Sequence, residues 1–157
     1  MSAALPELLP DAERLVSAWL RTRPAVTALV AQRVYTTWPH ARPVDTKQPL
    51  LLVQRVGGIP PFSRPLVLDE AELQLDAYGG GKHAAHLLTV IVCRELVHGL
   101  TDAVTPDGVV HGVTIGPKRW LPDESFSPAR PRYVTDVTLT LTAVRPPALG
   151  LTSLAVS

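Results

Sequence analysis

A single cysteine, Cys93, stands in a chain of 157 residues. That excludes an internal disulfide and any cysteine-rich metal knuckle, and it suits folding in a reducing cytoplasm. An excess of one charge is missing as well: 15 Lys and Arg against 14 Asp and Glu leave a formal net charge of +1. A balance so close to neutral argues against a protein whose main work is clamping nucleic acid through a basic surface. No apolar run approaches the roughly 20 residues of a membrane span. The opening MSAALPELLPDAER lacks the basic start and continuous apolar core of a signal peptide. The expectation is a chain made and kept in the cytoplasm of the cell that makes it, with no membrane as a partner.

What the chain does have is proline: sixteen residues, about twice the usual proportion of roughly 5%. They cluster in connections rather than in periodic segments, so long, stiffened loops are expected. The length and the 46% hydrophobic share suit one domain with a real core, taken as residues 1–145 and followed by a C-terminal extension, 146–157, beginning at Pro146-Pro147. Asp11 is placed to cap a helix whose Ala12, Leu15, Val16, Trp19 and Leu20 share an apolar face, and Pro24 ends or restarts it. RVYTTW (33–38) favours extended chain, and LLLVQRV (50–56) reads as a strand whose burial changes along its length. Residues 57–65 are too rich in Pro and Gly for a regular element.

From Asp69 to Tyr78 the alternation is clean, with Ala71, Leu73, Leu75 and Ala77 on one face and Glu72, Gln74, Asp76 and Tyr78 on the other. Lys82 to His98 is the strongest helix. Ala84, Leu88, Ile91, Val92 and Leu96 form one stripe, while Leu87, Val90 and Val97 add apolar surface on another side, so the helix is expected to be covered twice, by the sheet on one side and by the N-terminal helix or a neighbouring subunit on the other. Residues 107–115 suggest a strand, 116–131 a second long loop, and 132–144 a last strand. The fold class that follows is α+β: a mainly antiparallel sheet with helices packed on one face and long Pro-rich loops.

Chemical signatures are thin. Gly79-Gly80-Gly81-Lys82 opens the strong helix as a phosphate loop would, but aligning Gly81-Lys82 to the end of G-x-x-x-x-G-K-[ST] puts Asp76 where the first glycine belongs and His83 where the hydroxyl belongs. Glycines also turn a chain tightly without serving a ligand. His83 and His86 can share a helix face, yet a catalytic zinc needs a third protein ligand, and Cys93 lies about 10 Å farther along the helix. The serines carry no G-x-S-x-G elbow, and Cys93 on an apolar helix reads as a packed thiol. No enzyme, cofactor or metal site is therefore expected, and a small nucleotide-binding enzyme using the Gly79–Lys82 loop remains as an alternative.

The succession RVYTTWP, PLLLVQRVGG, LVLDEAELQLDAYGGGKHAAHLLTVIVCREL, a loop with RWLPDE, and RYVTDVTLTLTA resembles the tail terminator proteins of long-tailed bacteriophages over most of residues 10–145. Its most specific part is the strand-to-helix unit Leu73-Gln74-Leu75-Asp76-Ala77-Tyr78-Gly79. The resemblance implies a structural virion protein without a cofactor. Such a subunit commonly forms a six-membered ring on the head-proximal end of the tail tube, where it stops tube polymerisation and offers the surface on which the head docks. The implied partners are further copies of itself, the tail tube protein, a head-completion or neck protein, and DNA passing through the lumen without specific binding. The implied location is the head–tail junction of a virion made in the host cytoplasm. A head-closure or other neck connector protein is the alternative in the same class. Aromatics and arginines favour interfaces, so Phe62, Arg64, Arg119, Trp120, Phe126, Arg130 and Arg132 in the two loops are candidates for subunit or tube contacts; the alternative is that the aromatics fold back onto their own domain. Glu72, Gln74 and Asp76 are candidates for a lumen-facing strip that DNA would not stick to.

Overall fold

The computed structural model describes residues 10–39, 47–58 and 68–143. Phe62, Arg64 and the extension from Pro146 lie outside the described residues. Helix α1, Ala12–Leu20, starts where Asp11 accepts the Arg14 N–H at 3.2 Å, which satisfies one of the unpaired donors of the first turn. Pro24 restarts the chain as α2, Pro24–Val30, with the proline in its first turn. Strand β1 is only Val34–Tyr35, shorter than the RVYTTW stretch suggests. The chain bends at Thr36 and Thr37, and Trp38 packs edge-on to Tyr78 with ring centroids 5.3 Å apart. Contact with an aromatic elsewhere outweighs the local preference for strand.

The remaining elements are β2 (Leu50–Gly57), β3 (Asp69–Tyr78), α3 (Lys82–Glu95), a π-helical turn (Leu96–Leu100), β4 (Val104–Thr105), β5 (Gly108–Trp120) and β6 (Arg132–Thr142). They build one six-stranded sheet in the order β1-β2-β3-β6-β5-β4. The expected α+β class holds, with the correction that the sheet is mixed: β1 runs parallel to β2, and every other pairing is antiparallel. Strand β6, the last of the described strands, inserts between β3 and β5, which α3 connects and which run parallel to each other. This is a split βαβ arrangement.

In the β3–β6 register Leu73 faces Val137, and Ala71 faces Leu139. These side chains, with Leu51, Val53 and Leu141, form one buried sheet face. Against it pack Leu15, Val16 and Leu20 of α1, Val26 and Val30 of α2, and Leu88 and Val92 of α3. Burial of this apolar surface is the main favourable term for folding.

One expectation is corrected here, and the covering of the long helix is met on one side by the described residues. The segment Gly116–Trp120 continues β5 rather than forming a loop. The ladder to β6 shifts register between Ile115 and Lys118, and such a bulge tolerates Gly116-Pro117 where a regular ladder would need the missing N–H. In α3 and the π-helical turn that continues it, the stripe through Leu88 and Val92 is buried, but Leu87, Val90 and Val97 remain 40%, 38% and 39% exposed. Helix α2 packs against α3 without covering them.

The glycine run is explained by packing. A Cβ on Gly79 would stand 2.4 Å from the Ala85 nitrogen, so the end of β3 passes against the first turn of α3 only because Gly79 has no side chain. Gly81, the N-cap of α3, faces open space within 4 Å. Gly79→Ala should therefore cost about 2–3 kcal/mol and Gly81→Ala under about 1 kcal/mol. Urea unfolding of the two variants checks this, and equal losses would contradict it.

Candidate functional site

Between β5 and β6, residues 121–131 fold back over the second face of the sheet. Asp123 and Arg130 form an isolated antiparallel bridge, with Asp123 N–H to Arg130 O at 2.8 Å and Arg130 N–H to Asp123 O at 3.0 Å. The Asp123 carboxylate also accepts from the backbone N–H and the hydroxyl of Ser125, at 3.1 and 2.6 Å, an Asx-type turn. Arg130 is thereby carried inward and is only 2% exposed. Its guanidinium lies 5.1 Å from the Tyr78 ring centre, 5.8 Å from Trp38 and 5.9 Å from Phe126, and it donates to the Gln48 carbonyl at 2.8 Å. A weakly hydrated guanidinium among aromatic faces is a favourable way to bury a cation.

Two carboxylates share this end of the sheet. Asp76, 4% exposed, accepts from Gln74 Nε2 at 2.9 Å and lies 3.7 Å from Arg132 Nη1. Asp123 accepts the Tyr78 hydroxyl at 2.7 Å and lies 3.9 Å from the same Arg132 nitrogen. Burial pushes the Asp76 carboxyl above its ordinary range, partly offset by the Gln74 hydrogen bond and the Arg132 charge. For Asp123 burial also works upward, but hydrogen bonds from Ser125 and Tyr78 and the Arg132 charge outweigh it and hold the carboxyl below its ordinary range. Tyr78 is raised by burial and by its bond to Asp123, so it stays a neutral donor.

The candidates from the sequence therefore separate. Arg130 and Arg132 converge on Tyr78, and Phe126 packs against Trp38 beside them, all folding back onto their own domain. Arg119, half exposed, pairs with Asp136 at 3.3 Å on the sheet surface, a contact of small energetic weight. Along β3 the acidic strip divides: Glu72 is exposed, Gln74 half-buried and Asp76 buried. The alternation alone leaves this face solvated, but the 121–131 segment returns over one end of it, so Asp76 is buried while Glu72 stays exposed. Trp38, Tyr78 and Asp123 were not singled out from the sequence as parts of a site. The Asp-x-Ser spacing signals the turn at Asp123, but nothing local pairs Tyr78 with a segment 45 residues away.

Trp120 lies on the other side, at the start of α3. Its ring is 5.2 Å from Tyr133 and 4.9 Å from the Lys82 ammonium, and His86 is 5.2 Å from Tyr133. Lys82, His83, His86 and Tyr133 line an open depression of about 390 Å³. Lys82 is thus spread over an aromatic face rather than aimed into a glycine cradle. Among the described residues no group of three or more His, Cys, Asp or Glu comes together to hold a metal. Burial pushes the Cys93 thiol upward, away from reactive thiolate. The arrangement offers side chains for binding: a partly exposed aromatic and cationic patch that runs into the uncovered stripe of α3.

The solved virion of a native gene transfer agent (GTA) particle contains a chain similar to this one, with a TM-score of 0.56 and 16% identity, over 83% of this chain and 94% of that chain. The two share a fold. No protein-family model and no curated protein matches the chain.

Two sets of variants test the cluster. Arg130→Ala removes the group among three rings and should cost about 2–4 kcal/mol in urea unfolding. A carboxyl raised on folding contributes stability below its unfolded pKa and loses it as pH rises through the folded value; one that is lowered does the reverse. Asp76→Asn should therefore gain on wild type as pH rises from below about 4 to neutral, and Asp123→Asn should lose ground over the same span. Urea midpoints measured across that range check both signs.

Proposed function

We propose that the protein is a structural, non-enzymatic component of a phage-like virion, and within that class a tail terminator. In this role copies of the chain form a ring, with six the stoichiometry the family resemblance suggests, on the head-proximal end of the tail tube. The ring occupies the contacts that the next layer of tube would use and presents its other side to the head-completion protein. The observation that carries this reading is the fold shared with a chain of a gene transfer agent virion along 94% of that chain. The terminator assignment rests further on the strand-to-helix unit 73–79 and the final RYVTDVTLTLT strand. The chemistry of the described surface agrees with a binding role, since its accessible groups are an aromatic and basic patch and an unaccompanied apolar helix stripe, features that favour interfaces.

Deleting the gene in the producing strain tests the role. Electron microscopy should show overlong tails and unattached DNA-filled heads. Tails of normal length that fail to join heads would move the protein to the neck, and normal particles would remove it from virion assembly.

A further inference from the structure

The stripe of α3 and its π-helical continuation that the described residues leave uncovered has a definite chemistry. Leu87, Val90 and Val97 are each exposed to about the same degree, from 38% to 40%, and exposed Arg94 stands among them at helical spacing. The one acid of α3, Glu95, is turned to Arg23 at 3.2 Å. The stripe is therefore apolar and cationic.

The opposite layer of the domain has the complementary character. Glu70 and Glu72 project from β3 on the sheet face away from the helices, opposite Thr140 and Thr138 of β6. Both glutamates, with Gly58 and Thr138, line a depression of about 340 Å³. Among the described residues no ion pair engages Glu70, Glu72 or Arg94. One patch is a convex helix with a cation; the other is a concave sheet surface with two carboxylates. Lying on opposite layers, they cannot meet within one copy. Two copies bring them together head to tail, and a heterologous contact of this kind repeats until it closes as a ring or runs on as a filament.

We propose that α3 of one copy docks on the Glu70–Glu72 depression of the next, with Arg94 directed between the two carboxylates and Leu87, Val90 and Val97 covering the threonine-lined sheet beside them. This rests on the ring reading above and names the contact that builds it. Glu72 then faces a neighbouring subunit rather than a DNA-filled lumen. Charge complementarity chooses a second copy over an unrelated partner, because both halves of the pairing are present in the same chain.

Full-length chains carrying Val90→Cys or Glu72→Cys, mixed and treated with a short bis-maleimide from micromolar to millimolar concentration, test the geometry. The mixture should give a dimer that neither variant gives alone, and a chain carrying both substitutions should give a ladder. Self-linking by Val90→Cys alone would indicate a two-fold contact and overturn the proposal. So would the absence of any product beyond wild type, which would assign the α3 stripe to a different partner. By sedimentation, Arg94→Glu and Glu72→Arg should each weaken association roughly tenfold or more, and both in one chain should restore most of it. A double variant as weak as the singles overturns the pairing. Failed cross-linking with overlong tails on gene deletion would reject the contact and leave the role; intact cross-linking with normal tails would do the opposite.

Discussion

Everything in this domain hangs on the insertion of β6 between β3 and β5. The ladder from Asp69↔Leu141 to Tyr78↔Arg132 joins the last described strand to one more than fifty residues earlier, and it aligns Leu73 with Val137 and Ala71 with Leu139 on the core side. Because side chains alternate across a strand, a slip by one residue would send that whole apolar set to the opposite face. The same register brings Asp76 beside Val134 and Tyr78 beside Arg132 on the other face. Core and charged cluster are thus two sides of one alignment. Neither can be altered in register without losing the other.

The charged cluster solves a problem that the alignment creates. Placing Asp76 in the centre of a sheet, between Leu52 and Val134, strands a carboxylate where hydration is poor. The returning 121–131 segment makes that burial deeper, but it brings Asp123 to Tyr78 and Arg130 among the rings, and it leads into β6, whose first residue, Arg132, lies toward both carboxylates. Burying one partner without the others would be costly. The segment therefore docks as a unit, and the aromatic content that reads as a sticky loop in one dimension is consumed internally in three.

How much of this was legible in the residues depends on the range of the interaction. Strand β3 spans the expected Asp69–Tyr78 with Ala71, Leu73, Leu75 and Ala77 on the core face, and Asp11 caps α1 as its type predicts, because both depend on near neighbours. The failures are long-range. RVYTTW shortens to two residues of strand because Trp38 packs against Tyr78. GPKRW lies in a strand because bulges against β6 absorb a glycine and a proline. Asp76 is buried by a segment that arrives from 45 residues downstream. For α3, periodicity correctly marked a second apolar stripe, but a single chain cannot reveal its covering; the stripe remains exposed where the isolated domain ends.

The edges of the sheet carry a different consequence. On one side β1 is two residues long, and farther along β2 the free Arg55 N–H is taken by the Glu13 carboxylate at 3.2 Å. On the other, β4 covers only the start of β5, whose remaining length is twice displaced in register and interrupted by Pro117. Among the described residues neither margin presents an unbroken row of backbone donors and acceptors for another strand to copy. Copies crowded together are thereby kept from zipping into a continuous fibre of sheet. Contacts along these described margins fall to side chains, which can be strengthened, weakened or redirected one substitution at a time without disturbing the backbone that carries them.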